Sequence, residues 1–184
     1  MQFIHGGIKL NYSQEEQSQN IGNLGDPSYP NGDRTTLFQE ALEYQDYVTD
    51  LLIKELGLVI SNYSSKYYQC NFGENRQGIE IKLDKRILDT GNVSIEVAEK
   101  AKAENTVWVD SGIMRKDNTW LYIQGNYKIT FIFGKEFLKK LYQARYMDKV
   151  WEPKKTIKTF LFKIEEAEKY ALKIFRDNGG LNSL

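Results

Sequence analysis

The chain has 184 residues, 41% hydrophobic and 27% charged, with 25 basic side chains against 25 acidic ones; that suffices for one domain core and is too short for two enzymatic domains. A single cysteine, Cys70, excludes an internal disulfide, and a single histidine, His5, excludes multi-histidine zinc and nuclease motifs and leaves a Ser-His-Asp triad dependent on an N-terminal residue. Catalysis then falls to carboxylates, lysines and the oxygen-ligated ions that Mg²⁺ typifies. No run approaches the roughly 18 apolar residues of a membrane span, and Met1 to His5 lack the basic and apolar regions of a secretory signal, so the expected compartment is the cytoplasm with no membrane partner.

Residues 1–34 combine the polar run from Ser13 to Asn20 with glycines and prolines crowded between Gly22 and Gly32. Such a composition buries little apolar surface and predicts an extended or loosely packed arm ahead of a domain over residues 35–184. Thr36 and Gln39 have capping-box spacing, and Phe38, Ala41, Leu42, Gln45, Val48, Leu52 and Leu56 follow at helical intervals until Gly57, predicting a helix over about residues 36 to 56. Strand texture follows at 58–60, 67–70, 79–83, 93–97, 120–123 and 128–133, where β-branched and aromatic residues are separated by turn residues. Helical spacing returns in Phe137, Leu138, Leu141 and Tyr142, and again in Ile164, Ala167, Ala171, Ile174 and Phe175, with Glu152 to Lys155 as a connector. Helix, then strands, then helices predicts an α/β (α+β) fold: a central mixed sheet of four to five strands flanked by helices.

The segment from Gly73 to Asp84 carries the chemistry. If residues 79–83 form a strand, alternation sends Ile79, Ile81 and Leu83 to the core and projects Glu80, Lys82 and Asp84 together from the other face. Glu74, just before a glycine-containing turn, can converge with Glu80 on one metal ion while Lys82 lies two residues further on. Phosphodiester hydrolysis needs such a set: carboxylates to hold Mg²⁺, a metal to acidify water and neutralise phosphate, and an ammonium to steady the developing charge. An ordinary half-exposed strand with a surface ion pair is the competing reading.

Glu80-Ile81-Lys82, preceded by the acidic Glu74, resembles the PD-(D/E)XK nuclease superfamily, whose signature is an acidic residue, a gap, and Asp/Glu-x-Lys on a core strand. Glu74 departs from the pattern, being a Glu where Asp is usual and lacking a preceding proline. The wider run from Gly78 to Asp84, Thr90-Gly91-Asn92 with Ile95-Glu96, Ser111-Gly112-Ile113 and Trp120 to Ile123 is similar to small phage and prophage nuclease-like proteins of that superfamily. The resemblance covers roughly residues 73 to 145. It implies a restriction-endonuclease-like fold in a bacterial host cell, acting on DNA with Mg²⁺ or Mn²⁺, with Glu74 and Glu80 as metal ligands helped by the Ile81 carbonyl and Lys82 stabilising the transition state. A nuclease-fold protein that binds without cutting, as a phage interaction or counter-defence protein, is the alternative.

Glu96, Asp84 and Glu43 are further candidates for the site; Glu43 shares a helix face with Asp46 and Asp50, for which a solvated polar face is the plainer reading. Tyr67 and Tyr68 suit a sheet or a base-stacking surface, and Cys70 a buried apolar position. Residues 135–176 carry twelve basic and six acidic side chains, whereas residues 1–60 carry three against nine. Lys139, Lys140, Lys154, Lys155 and Lys158 are therefore the expected contacts to a DNA backbone, against the alternative of a solvated face. A homodimer is compatible with one site cutting one strand at a time.

Overall fold

The computed structural model describes residues 34–62, 73–145, 149–150 and 155–177. The chain divides into Met1–Glu40 and Ala41–Leu184. The expected arm, together with His5, Tyr67, Tyr68 and Cys70, falls outside the described residues apart from Arg34. In chain order the elements are α1 (Arg34–Leu56), β1 (Ile79–Leu83), α2 (Ile87–Thr90), β2 (Asn92–Glu99), β3 (Val109–Asp110), a 3₁₀ turn (Gly112–Met114), β4 (Leu121–Gly125), β5 (Ile129–Gly134), α3 (Lys135–Arg145), β6 (Lys149–Val150), β7 (Ile157–Lys163), α4 (Ile164–Tyr170) and β8 (Lys173–Arg176).

Helix α1 begins two residues before the expected cap and ends where expected. Gly57 turns out of it at φ 63°, and the N–H groups of Gly57 and Leu58 return to the carbonyls of Ile53 and Leu52 at 3.0 Å. Tyr44, Val48 and Leu52, four residues apart, are fully buried, the stripe a helix presents to a core.

That stripe covers one face of a mixed sheet ordered β1-β4-β5-β8, in which β1 runs parallel to β4 and the other neighbours are antiparallel. Ile79, Ile81, Leu121, Ile123 and Ile132 meet the helix, and the Tyr44 hydroxyl lies 2.9 Å from Thr130 Oγ1. The opposite face carries Tyr122, Ile129, Phe131 and Phe133 into a second core with Val93, Ile95 and Val97 of β2, Phe160 and Phe162 of β7, Leu138 of α3 and Ala167 of α4. Because β5 is buried on both faces, it reads as a near-continuous apolar run.

Three expectations need correction. The expected mixed sheet is present with four strands, but among the described residues a second sheet of four joins it, antiparallel in the order β3-β2-β7-β6. Residues 58–60 form no strand; Leu58 and Ile60 pack inward while Val59 stays exposed. The helical spacing from Ile164 to Phe175 is broken after α4, because Ile174 and Phe175 pair with Phe131 and Thr130 of β5. A sheet edge with unmet backbone groups there outweighs the side-chain period.

Two local devices fix the sheet's geometry. Gly78, at φ 71°, leads into β1 with no room for a side chain: a Cβ would stand 2.3 Å from the Asn118 carbonyl oxygen and 2.8 Å from Trp120 Cδ1. Lys135, 1% exposed, starts α3 and donates to Asp117 Oδ1 at 2.6 Å and to the Arg115 carbonyl at 2.9 Å, tying α3 to the loop before β4. Burial opposes the Asp117 charge, but the hydrogen bonds from Lys135 and Thr119 and the Lys135 charge outweigh it and hold the carboxyl below its ordinary range.

Gly78→Ala is expected to lower unfolding free energy by about 2 to 4 kcal/mol in urea titration, from left-handed strain and overpacking together. Asp117, with its folded pKa depressed, contributes stability above the unfolded carboxyl pKa and loses it as pH falls through the folded value. The stability gap between the native protein and Asp117→Asn should therefore be constant above about pH 5 and shrink below about pH 4.

Candidate active site

Strand β1 lies at the edge of the mixed sheet, so its outward backbone groups need partners other than a strand. The turn from Gly73 to Gly78 folds back along that edge and supplies them from side chains. Asn75, fully buried, accepts from the Ile79 N–H at 2.9 Å and donates to the Ile79 carbonyl at 2.5 Å. Glu74 Oε2 accepts from the Ile81 N–H at 3.0 Å and from Gln45 Nε2 of α1 at 3.4 Å. Glu74 is thus held by the strand that carries Glu80 and Lys82.

Alternation along β1 places Ile79 and Ile81 against α1 and turns Glu80 and Lys82 to the other face, as expected. That face is not a solvated one. Glu80 is 1% exposed, beside the fully buried Tyr122 with which it is in register. The Lys82 ammonium stands 3.0 Å from Glu80 Oε1 and 3.2 Å from Glu74 Oε1, so the three predicted residues converge. Burial works against the Lys82 charge, but Glu80 and Glu74 outweigh it and hold the group well above the usual lysine range. Burial, then the Glu80 charge, pushes the Tyr122 phenol well up. Among the described residues, Glu80 Oε2 has no hydrogen-bond partner and Oε1 has only the ion pair with Lys82.

A cleft of about 630 Å³ adjoins this cluster. One wall is the β1–β4 face, with Lys82, Asp84, Tyr122 and Gln124; the other is β2 and β7, with Ser94 and Glu96 prominent. Burial raises the Asp84 carboxyl above its ordinary pKa, against hydrogen bonds from Gln124 and backbone N–H groups. Gln124 Nε2 donates to Asp84 Oδ2 at 3.3 Å, while Gln124 Oε1, buried, has no partner among the described residues. Glu96 Oε1 accepts from Ser111 Oγ at 2.5 Å. Burial works against the Arg115 charge, but Glu80, Glu99 and Glu96 outweigh it and raise its pKa.

The other sequence candidates do not join the cluster. Glu43, Asp46 and Asp50 are exposed on α1, and the helix residue that reaches the site is Gln45. Lys139 pairs with Glu136 at 2.7 Å, Lys140 and Lys155 are exposed, and Lys158 lies 4.7 Å over the Trp108 ring beside Lys100 at 4.8 Å. Lys154 falls outside the described residues. The basic residues of the cleft are Lys82, Lys85 and Arg86, which the charge asymmetry of the C-terminal third did not single out. Gln45, Tyr122 and Gln124 were also missed; the apolar Trp120–Ile123 run carries no sign of a polar face beyond the alternation of Tyr122 and Gln124.

Among the described residues no three His, Cys, Asp or Glu side chains gather to hold a metal ion. Glu74 and Glu80 nevertheless fit a hard divalent ion: they converge, and Glu80 has an unmet buried oxygen. Mg²⁺ needs only one or two carboxylates, with water and substrate phosphate completing its shell. No helix among the described residues is long and apolar enough to cross a membrane. No protein-family model, curated protein or solved structure matches the chain.

Lys82→Met strands two inward carboxylates and should cost about 2 to 4 kcal/mol by urea titration, somewhat below a fully buried pair because the lysine side chain is 31% exposed. Adding Glu80→Leu to that variant should return part of the loss, since the charge is then absent from the interior. A double variant weaker than the single would show that Glu80 is held by partners other than Lys82.

Proposed function

We propose that the chain is a nuclease of the restriction-endonuclease-like class that hydrolyses DNA phosphodiester bonds with Mg²⁺ or Mn²⁺. One observation carries this reading: Glu74 and Glu80 converge on the Lys82 ammonium in an Asp/Glu-x-Lys strand, beside a cleft open to a ligand. Support comes also from the mixed sheet with α1 on one face, the coarse layout such a fold requires.

Glu74 and Glu80 would hold the ion, with the Ile81 carbonyl as a further donor; when bound, it supplies an acidified water and charge neutralisation at the scissile phosphate. Lys82, held protonated by its two neighbours, steadies the charge that grows on the phosphoryl oxygens. The β1 edge turn keeps Glu74 aimed at that point, so little reorganisation is left for the reaction step. Lys139, Lys140, Lys154, Lys155 and Lys158 serve, in this reading, as contacts to the backbone away from the reacting phosphate. Cytoplasmic action and a pair of copies for double-strand cuts belong to the same proposal.

The second reading, nucleic-acid or protein binding without cutting, is favoured by Lys82 itself, which fills the gap between the two carboxylates that converge on it. A cleavage assay on plasmid and on oligonucleotides in Mg²⁺ and Mn²⁺ separates the two. Glu80→Gln keeps the side-chain volume and should slow cleavage by about 10³-fold or more while leaving the melting temperature close to native. No cleavage by the native protein on any of these substrates selects the binding reading; cleavage unchanged in Glu80→Gln removes that residue from the mechanism.

A further inference from the structure

The cleft, and not the lysine-rich segment, sets what the site can take. Its volume, about 630 Å³, falls in the range of small-molecule pockets, about 300 to 1,000 Å³, and is far too small to admit a double helix between its walls. Of the reacting cluster, Lys82 lines the cleft, and Glu80, 1% exposed, is paired to it at 3.0 Å. A phosphodiester that reaches Lys82 has to leave the duplex surface and enter with its nucleoside.

Cationic and acceptor groups share the β1–β4 wall and the turn after it. Lys82, Lys85 and Arg86 gather at the C-terminal end of β1 and the turn after it. Gln124, 5% exposed, contributes an amide oxygen with no partner among the described residues, and its nitrogen is already given to Asp84 Oδ2. That patch therefore offers acceptors, and a buried acceptor left unmet is destabilising until a donor arrives. Every nucleobase presents an N–H donor on its Watson–Crick edge, through an exocyclic amine or a ring imino group. A nucleotide answers both kinds of group, with phosphate toward the cationic side chains and base N–H at Gln124.

We propose that this cleft seats one unpaired nucleotide of a strand, its phosphate toward Lys82, Lys85 and Arg86 and its base edge on Gln124, so that the substrate is single-stranded or locally extruded nucleic acid and not intact duplex. The inference rests on the nuclease reading and narrows it. It also assigns Gln124 as a base-contacting residue and Ser94, on the opposite wall, as a position whose side chain bounds the seat. Removing a nucleotide from the stack costs unpairing and unstacking energy, so a strand already unpaired is the preferred ligand.

The test separates binding from cutting. Fluorescence anisotropy with the full chain in EDTA compares a labelled eight-nucleotide strand, as DNA and as RNA, with a blunt hairpin of the same sequence. The strand is expected to bind about 10-fold or more tightly than the hairpin, and Gln124→Leu to weaken it about 5-fold, one hydrogen bond's worth. Ser94→Trp, which fills the cleft, is expected to abolish strand binding, with a thermal melt checking that it folds; if it does not, Gln124→Leu decides. Equal affinity for the hairpin, strand affinity untouched by Gln124→Leu, or displacement of the strand by an equal concentration of free 5′-mononucleotide would each overturn the proposal, the last by making the ligand a free nucleotide. A strand bound in the cleft yet uncut in Mg²⁺ and Mn²⁺ sustains the seat and removes the nuclease reading. Hairpin and strand cut at equal rates by both native protein and Ser94→Trp would remove the seat and leave that reading standing.

Discussion

The Lys82 ammonium between two carboxylates is the constraint on which the rest of the structure depends. Bringing Glu80 inside a sheet face costs several kcal/mol in lost hydration, and an ion pair returns that only when its geometry is close and its other lone pairs are satisfied. Here the first condition holds, at 3.0 and 3.2 Å, and the second does not, because Glu80 Oε2 is left without a partner among the described residues. An apolar triad of similar volume would serve stability as well or better. The cluster is therefore not explained by what it contributes to folding, whereas the Lys135–Asp117 pair, which also ties in the Arg115 carbonyl and the Thr119 N–H, is.

Everything around the cluster acts to hold it in place. Glu74 reaches Lys82 because the Gly73–Gly78 turn runs back along β1, which among the described residues has one strand neighbour. Asn75 meets both backbone groups of Ile79 with its amide, and the Glu74 carboxylate meets the Ile81 N–H further along the same edge. The second sheet then uses both of its faces. Val93, Ile95 and Val97 go into the core, while Ser94 and Glu96 between them line the cleft. One strand with period two builds packing and a binding wall at once.

Much of this was legible in the sequence where one period dominates. The helix ending at Gly57 and the strands around Ile81, Ile95, Tyr122 and Phe131 all emerge from local patterning, as does the convergence of Glu74, Glu80 and Lys82. Three things were not. The burial of Glu80 depends on Tyr122 and on how a second sheet covers that face, a tertiary fact that alternation cannot carry. Strand β8 hides in residues that also satisfy a helical spacing, and only the vacant edge of β5 selects the strand. Cleft residues such as Gln124 and Ser94 have no distinctive composition; they matter through register with Lys82 and through β2's alternation. Net charge pointed to the C-terminal lysines, yet charge density summed over a segment says nothing of which side chains surround a cavity.

The register adds a last step. Glu80 is level with Tyr122 and Lys82 with Gln124 across the parallel pair, so these four side chains occupy one small patch of a single sheet face. Two of them, Glu80 and Gln124, carry buried oxygens with no partner among the described residues. Unmet acceptors that close together share a local deficit of positive charge and of N–H or O–H donors, in surroundings where each such group interacts more strongly than in water. Lys82 lies between them and is already committed to Glu80 and Glu74. The group that reaches the Gln124 oxygen from the adjoining cleft must therefore bring an N–H or O–H donor, and that hydrogen bond offsets the desolvation of the buried acceptor.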